Sequence, residues 1–326
     1  MRKAKGVAEQ KPHSGGSMNS LRNDIPTRQA SDESRDLLRA RHRNYRAAKL
    51  TQGLLVLVSI LLPVIGVWIG SQVPEIRPYL ALASLILLVM ETALFDRIQK
   101  DRLKRGAKLQ EQFDTDIFGL PWNRFVTGAP VEYEDVRRLS AKPLSEKREA
   151  HFLAWYEVCI GRLPLYLARL IGQRTNISYD ARLRRRYGGW LLTLTLLFGV
   201  ALLYAGLYKG LPFPDLIMTL IVPFLPVLTW ALRERMQQAN AAISLTNLNG
   251  EWGKIWTKAL GGADAMALTV ESRSLQDAIY QHRERSPLIF DWVYSIFRSV
   301  NEDEAHHAAE DLVRKAEKAL GEGGKA

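Results

Sequence analysis

The sequence predicts an all-α integral membrane protein: two transmembrane helical hairpins, a helical cytoplasmic region inserted between them, and a helical cytoplasmic tail. Three observations carry this. Apolar residues gather in four blocks, short links bearing Pro and Gly join those blocks in pairs, and almost every cation lies outside the links.

The blocks span residues 53–70 (GLLVLVSILLPVIGVWIG), 76–95 (containing YLALASLILLVMETALF), 188–208 (GGWLLTLTLLFGVALLYAGLY) and 216–232 (LIMTLIVPFLPVLTWAL). Each approaches or reaches the roughly 20 residues a helix needs to cross the hydrocarbon core. None alternates as a barrel strand would, so helices are the way to satisfy their backbone in lipid. Four nearly uncharged blocks also argue against core helices of a soluble protein. The mean hydropathy of −0.12 hides them because the intervening segments are strongly charged.

The links SQVPE (71–75) and KGLPFPD (209–215) are short turns, so the blocks pair as hairpins. Of the 45 Lys and Arg residues, only Lys209, in the second link, and Arg77, two residues past the first, lie on the link side. The positive-inside rule therefore places both termini and the central region in the cytoplasm. The net charge of +11 is in this reading a topology signal, and no nucleic-acid polymer is expected as a partner. The segments follow: a disordered N-terminus (1–30), a cytoplasmic helix (31–52), the first hairpin (53–95), a central cytoplasmic region (96–187), the second hairpin (188–232) and a cytoplasmic helical tail (233–326). The polar, basic start is unlike a secretory signal.

Within the charged segments, DRIQKDRLKRGAKLQEQ (96–112) is expected to continue helically from the second block, and the chain after 232 to continue likewise from the fourth. Trp252 and Trp256 share one helix face. The tail 302–320 reads as amphipathic, with Ala305, Ala309, Leu312, Ala316 and Leu320 on its apolar face. Prolines 63, 223 and 226 lie inside spans and can kink them.

Candidate functional residues are few. Glu91 is the ionisable residue inside an apolar block. It reads either as pore-lining or as a boundary residue near Arg97. Asp114 and Asp116 suggest a D-x-D pair, but a spacing of two points them to different helix faces, so no metal site is assigned. Arg174, Asn176, Tyr179 and Asp180 mix a bidentate cation, an amide, an aromatic ring and an acid, the composition of a nucleotide pocket and equally of an ordinary polar network. Arg182, Arg184, Arg185 and Arg186 read as a phosphate-holding cluster or a positive-inside anchor, with Tyr187 and Trp190 suited to the membrane interface. The lone Cys159 excludes an internal disulfide. No catalytic signature was found, among them G-x-S-x-G, H-E-x-x-H or a phosphate loop, so no enzyme activity and no cofactor is assigned.

The segments FDTDIFGLPWN (113–123), AWYEVCIG (154–161) and QRTNISYDARLRRRY (173–187) resemble the SMODS-associated four-transmembrane effectors of bacterial cyclic-oligonucleotide antiphage systems. The order of two spans, central region, two spans and helical tail fits as well. The resemblance covers about residues 19–300. It implies a pore-forming effector in the bacterial inner membrane, activated by a cyclic nucleotide second messenger from a coupled nucleotidyltransferase. A non-conducting scaffold or sensor is the alternative. Two hairpins are few for a wide pore, so a homo-oligomer in the lipid bilayer is expected. The ligand site is expected in the central region, at Trp122, Asn123, Arg174, Asn176, Tyr179, Asp180, Arg182 and Arg184: Trp122 and Tyr179 as stacking surfaces, Arg174 as a phosphate partner.

Overall fold

The computed structural model describes residues 23–91 and 96–323. Every regular element among them is helical. The sequence of elements is α1 (Ile25–Arg28), α2 (Asp32–Trp68), α3 (Arg77–Met90), α4 (Asp96–Ile117), α5 (Arg124–Thr127), α6 (Tyr133–Ser140), α7 (Glu146–Leu153), α8 (Leu165–Tyr208), α9 (Phe213–Leu216), α10 (Val222–Leu260), α11 (Ala265–Arg285) and α12 (Asp291–Gly323).

Three helices are long and apolar enough to cross a membrane: α2, α8, and the continuous run Phe213–Leu260 that contains α10. The second apolar block appears as α3, 14 residues and about 21 Å long. The rest of that block, 92–95, lies outside the described residues.

The three long helices share a design. At 37, 44 and 39 residues, α2, α8 and α10 run about 55–66 Å, well beyond a hydrocarbon core of about 30 Å. Each joins a charged half to an apolar half without a break, α2 and α8 running from charged to apolar and α10 the reverse. Helix α2 starts at Ser31, whose side chain accepts from the Ser34 amide, with Asp32 and Glu33 in its first turn. The apolar halves and α3 leave large side chains exposed, among them Leu57, Leu61, Leu85, Leu197, Val200 and Leu203. In water that surface would be costly.

Two ion pairs mark the ends of the apolar bundle. At the link end, Arg77 at the start of α3 meets Asp215 of α9 at 2.6 Å. Lys209 there lies 4.6 Å over the Trp68 ring. At the other end, Glu91 meets Arg233 of α10 at 3.2 Å. Helix α3 packs more against α10 than against α2, the helix it follows in sequence.

Small residues set the closest approach. Pro223 has no N–H to give the Thr219 carbonyl four residues earlier, and a π-turn occupies Ile217–Ile221. A Cβ on Gly66 would lie 1.8 Å from that Thr219 oxygen, so only glycine lets α2 cross the turn there.

The charged halves enclose the main core. Phe113, Phe118, Tyr156, Leu167, Ile171 and Trp252 are among its buried residues. Trp252 and Trp256 stack at 5.4 Å, as their i, i+4 spacing predicted. Helix α12 lays Ala305, Ala309, Leu312 and Ala316 against the same body, while Leu320 is exposed. The helix is longer than the expected 302–320.

One expectation fails. Residues 23–30, read as part of a disordered N-terminus, are anchored. Ile25 and Gln29 are fully buried. The Asn23 side chain donates to the Ile160 and Leu163 carbonyls, and Gln29 exchanges two hydrogen bonds with the Tyr156 backbone. Local composition marks this stretch as polar, and its partners lie more than 120 residues away. Residues 1–22 lie outside the described residues.

Candidate ligand-binding site

The motif at 113–123 ends α4 and ties it to α11. Helix α4 closes with Gly119 at φ +60, where the Leu120 amide donates to the Thr115 carbonyl and the Gly119 amide to Asp116. This is the glycine-terminated cap that the run F-G-L-P encodes. One turn back, Asp114 is wholly buried. It accepts hydrogen bonds from Tyr156 Oη and Gln110 Nε2, both at 2.8 Å, and from Arg283 Nη1 at 2.5 Å. Glu111, also wholly buried, meets Arg273 at 2.6 Å and Gln276 at 2.9 Å. Two acids thus face two arginines of α11.

The charges respond to one another. Burial pushes the Glu111 carboxyl up, with Arg273 opposing. Burial works against the charge of Arg283, but Asp114, Tyr156 and Glu111 outweigh it and hold the guanidinium above its usual range. Asp116, by contrast, points to solvent, so the two acids of D-x-D occupy opposite environments.

The residues expected to bind ligand fall into two surroundings. Trp122 and Asn123 border a depression of about 530 Å³ with Arg124, Phe125 and Arg273. Trp122 Nε1 donates to the Gly128 carbonyl, and Asn123 Nδ2 to Asp277. The others lie along α8. Arg174 sits 5.2 Å over the Trp252 ring. Asn176 Nδ2 donates to Tyr156 Oη at 2.6 Å. Tyr179 packs beside Leu183, Tyr187 and Ile289. Arg182 pairs with Glu304 of α12 at 3.1 Å. Arg184 is buried on Asp180, Gln238 and the Pro287 carbonyl. Asp180 also faces His282 at 3.5 Å. None of these six α8 residues lines the depression. Tyr187, expected at the membrane interface, is buried against protein, whereas Trp190, expected there too, is exposed.

A larger cleft of about 820 Å³ opens where the apolar bundle meets the charged helices, between α2, α4, α10 and α11. Its walls carry Lys100 and Lys104 of α4, Arg233 of α10 and Arg285 of α11, with the amides of Gln237 and Gln281. Glu91 closes its apolar end, so this candidate borders a polar cleft through its pair with Arg233. Glu234 lies in the wall, and burial pushes its carboxyl up to about 7 despite the hydrogen bond from Gln238 and nearby Arg184. Sequence reading missed the cleft because its cations are spread over 186 positions of chain, and each alone reads as a positive-inside residue.

Long helices that are charged at one end and apolar at the other, with a polar cleft at the junction, define a helical membrane protein. The chain belongs to the SMODS-associating 4TM effector family, whose domain it matches over residues 23–312. A similar protein is a probable CBASS effector molecule of Bacillus cereus (strain VD146). It is 25% identical over 287 residues, covering 85% of this chain and 94% of that relative. No solved structure matches the chain.

Proposed function

We propose that this effector is switched on by a cyclic nucleotide from a partner nucleotidyltransferase and then breaches the inner membrane as a homo-oligomeric pore. The charged halves face the cytoplasm and receive the signal, and the apolar halves carry the response. The observation that supports this reading most is the continuity of α2 and α10 from the cleft into the apolar bundle, with the equally unbroken α8 packed along α10. A ligand that favours one arrangement of the charged halves then favours one arrangement of the spans, because no joint separates them. The 113–123 motif serves as the rivet that makes α4 and α11 move together.

The test is dye release from proteoliposomes holding the full chain, with a panel of cyclic di- and trinucleotides. Release with one member, and not with its linear counterpart, is the expected result. Binding without release would favour a non-conducting sensor. A cysteine label at Gln72 or Gly210 that reacts only from the cytoplasmic side would overturn the orientation.

A further inference from the structure

Given activation by a cyclic nucleotide, the remaining question is where that ligand sits. The ligand class sets the requirements. A cyclic oligonucleotide carries two or more phosphodiester anions on opposite sides of a ring, and bases whose edges donate and accept hydrogen bonds. Its site needs cations on more than one wall, amides between them, and a volume within the roughly 300–1,000 Å³ of ligand clefts.

The cleft of about 820 Å³ meets all three. Lys100 and Lys104 stand one turn apart on one face of α4, and both are exposed. Arg285 is exposed on α11. Between them Gln237 and Asn240 of α10 and Gln281 of α11 present exposed amides. Asp101, Glu234 and Glu284 line the cleft too. Such acids repel a bare anion, yet they can accept hydrogen bonds from the amino group of a base. The mixture therefore selects a nucleotide over inorganic phosphate. The depression beside Trp122 offers only two cations, and one of these, Arg273, is already held by Glu111 and Asp277.

We propose that the cyclic nucleotide binds in the cleft between α4, α10 and α11, its phosphodiesters on Lys100, Lys104 and Arg285, and that it draws Arg233 from Glu91. Arg233 faces both the cleft and the end of the second apolar block. A phosphate competing for that guanidinium loosens the contact that pins the block to α10, and by reciprocity the Glu91 carboxylate opposes binding.

The experiment uses the full chain in detergent, titrated calorimetrically with cyclic GMP–AMP, cyclic di-AMP, cyclic di-GMP, cyclic tri-AMP and inorganic phosphate. Lys100→Ala/Lys104→Ala changes two exposed side chains and should weaken binding by about tenfold or more. Glu91→Gln should bind the same nucleotide more tightly, Trp122→Ala should bind it as the parent does, and phosphate alone should not bind. Melting temperature and particle size confirm that each variant is folded. Equal affinity of the parent, the double lysine variant and Arg285→Ala for a bound nucleotide would overturn the cleft while leaving cyclic-nucleotide activation standing. Absence of binding by every probe to the parent would overturn both.

Discussion

The two halves of α8 are one helix in two solvents. Before Gly188, Leu167, Leu170, Ile171, Ile177 and Leu183 are buried, Arg182 and Arg184 pair with acids, and buried Arg169 donates to the Phe118 carbonyl. Beyond it, Leu194, Leu197, Val200 and Leu203 are exposed, and only 17% of the apolar stretch is buried. In the charged half the hydrophobic effect drives side chains inward. In the apolar half lipid removes that drive, and packing relies on close approach at Gly66 and on the terminal ion pairs. Stability in the two halves should therefore respond to different substitutions.

The largest effect is expected in the charged half. Asp114→Ala leaves Arg283 and Tyr156 facing a void, and breaking a buried pair costs about 3–5 kcal/mol. Chemical denaturation in detergent should show this loss while insertion continues. A loss below about 1 kcal/mol, the scale of an exposed pair, would remove the rivet role of the motif.

Next comes the apolar half. Leu197→Arg should cost about 2.5–3.5 kcal/mol of membrane insertion, because Leu197 is exposed in the middle of the apolar half of α8. Unchanged insertion in a glycosylation-mapping assay would mean that this face meets water or protein. In the charged half, Met236→Arg replaces an exposed side chain facing water and should change stability by no more than about 0.5 kcal/mol.

At the junction the effect depends on pH and is smaller when taken over one pH unit. The Glu234 carboxyl is raised to about 7 from an ordinary 4.5, so the folded state holds a proton that the unfolded chain has released. Stability should fall as pH rises through that window, by at most about 1.4 kcal/mol per pH unit, and level off above it. Glu234→Gln should flatten the slope in melting curves taken between pH 5 and 8. A slope unchanged by the substitution would assign the titration to another group.

The smallest effect separates contact from contribution. Lys254 and Glu251 pair at 2.7 Å but are both exposed, so Lys254→Ala should change stability by about 0.5 kcal/mol or less. A larger loss in the same denaturation assay would show that this surface is covered in an assembly.

Hydropathy and charge alone determined the helical class, the apolar blocks at 53–70, 188–208 and 216–232, and the pairing of Trp252 with Trp256, because these depend on neighbours within a few turns. The family was legible in the 113–123 motif, although the role of Asp114 was not: its partners Tyr156 and Arg283 lie 42 and 169 residues away. Only the tertiary structure decided that residues 23–30 are anchored, that Arg184 is a buried network residue, and that Lys100, Arg233 and Arg285 share one cleft. A single sequence records periodicity along one helix. It does not record which distant helix closes the other wall, since that choice is made by packing between surfaces whose residues have no fixed spacing in the chain.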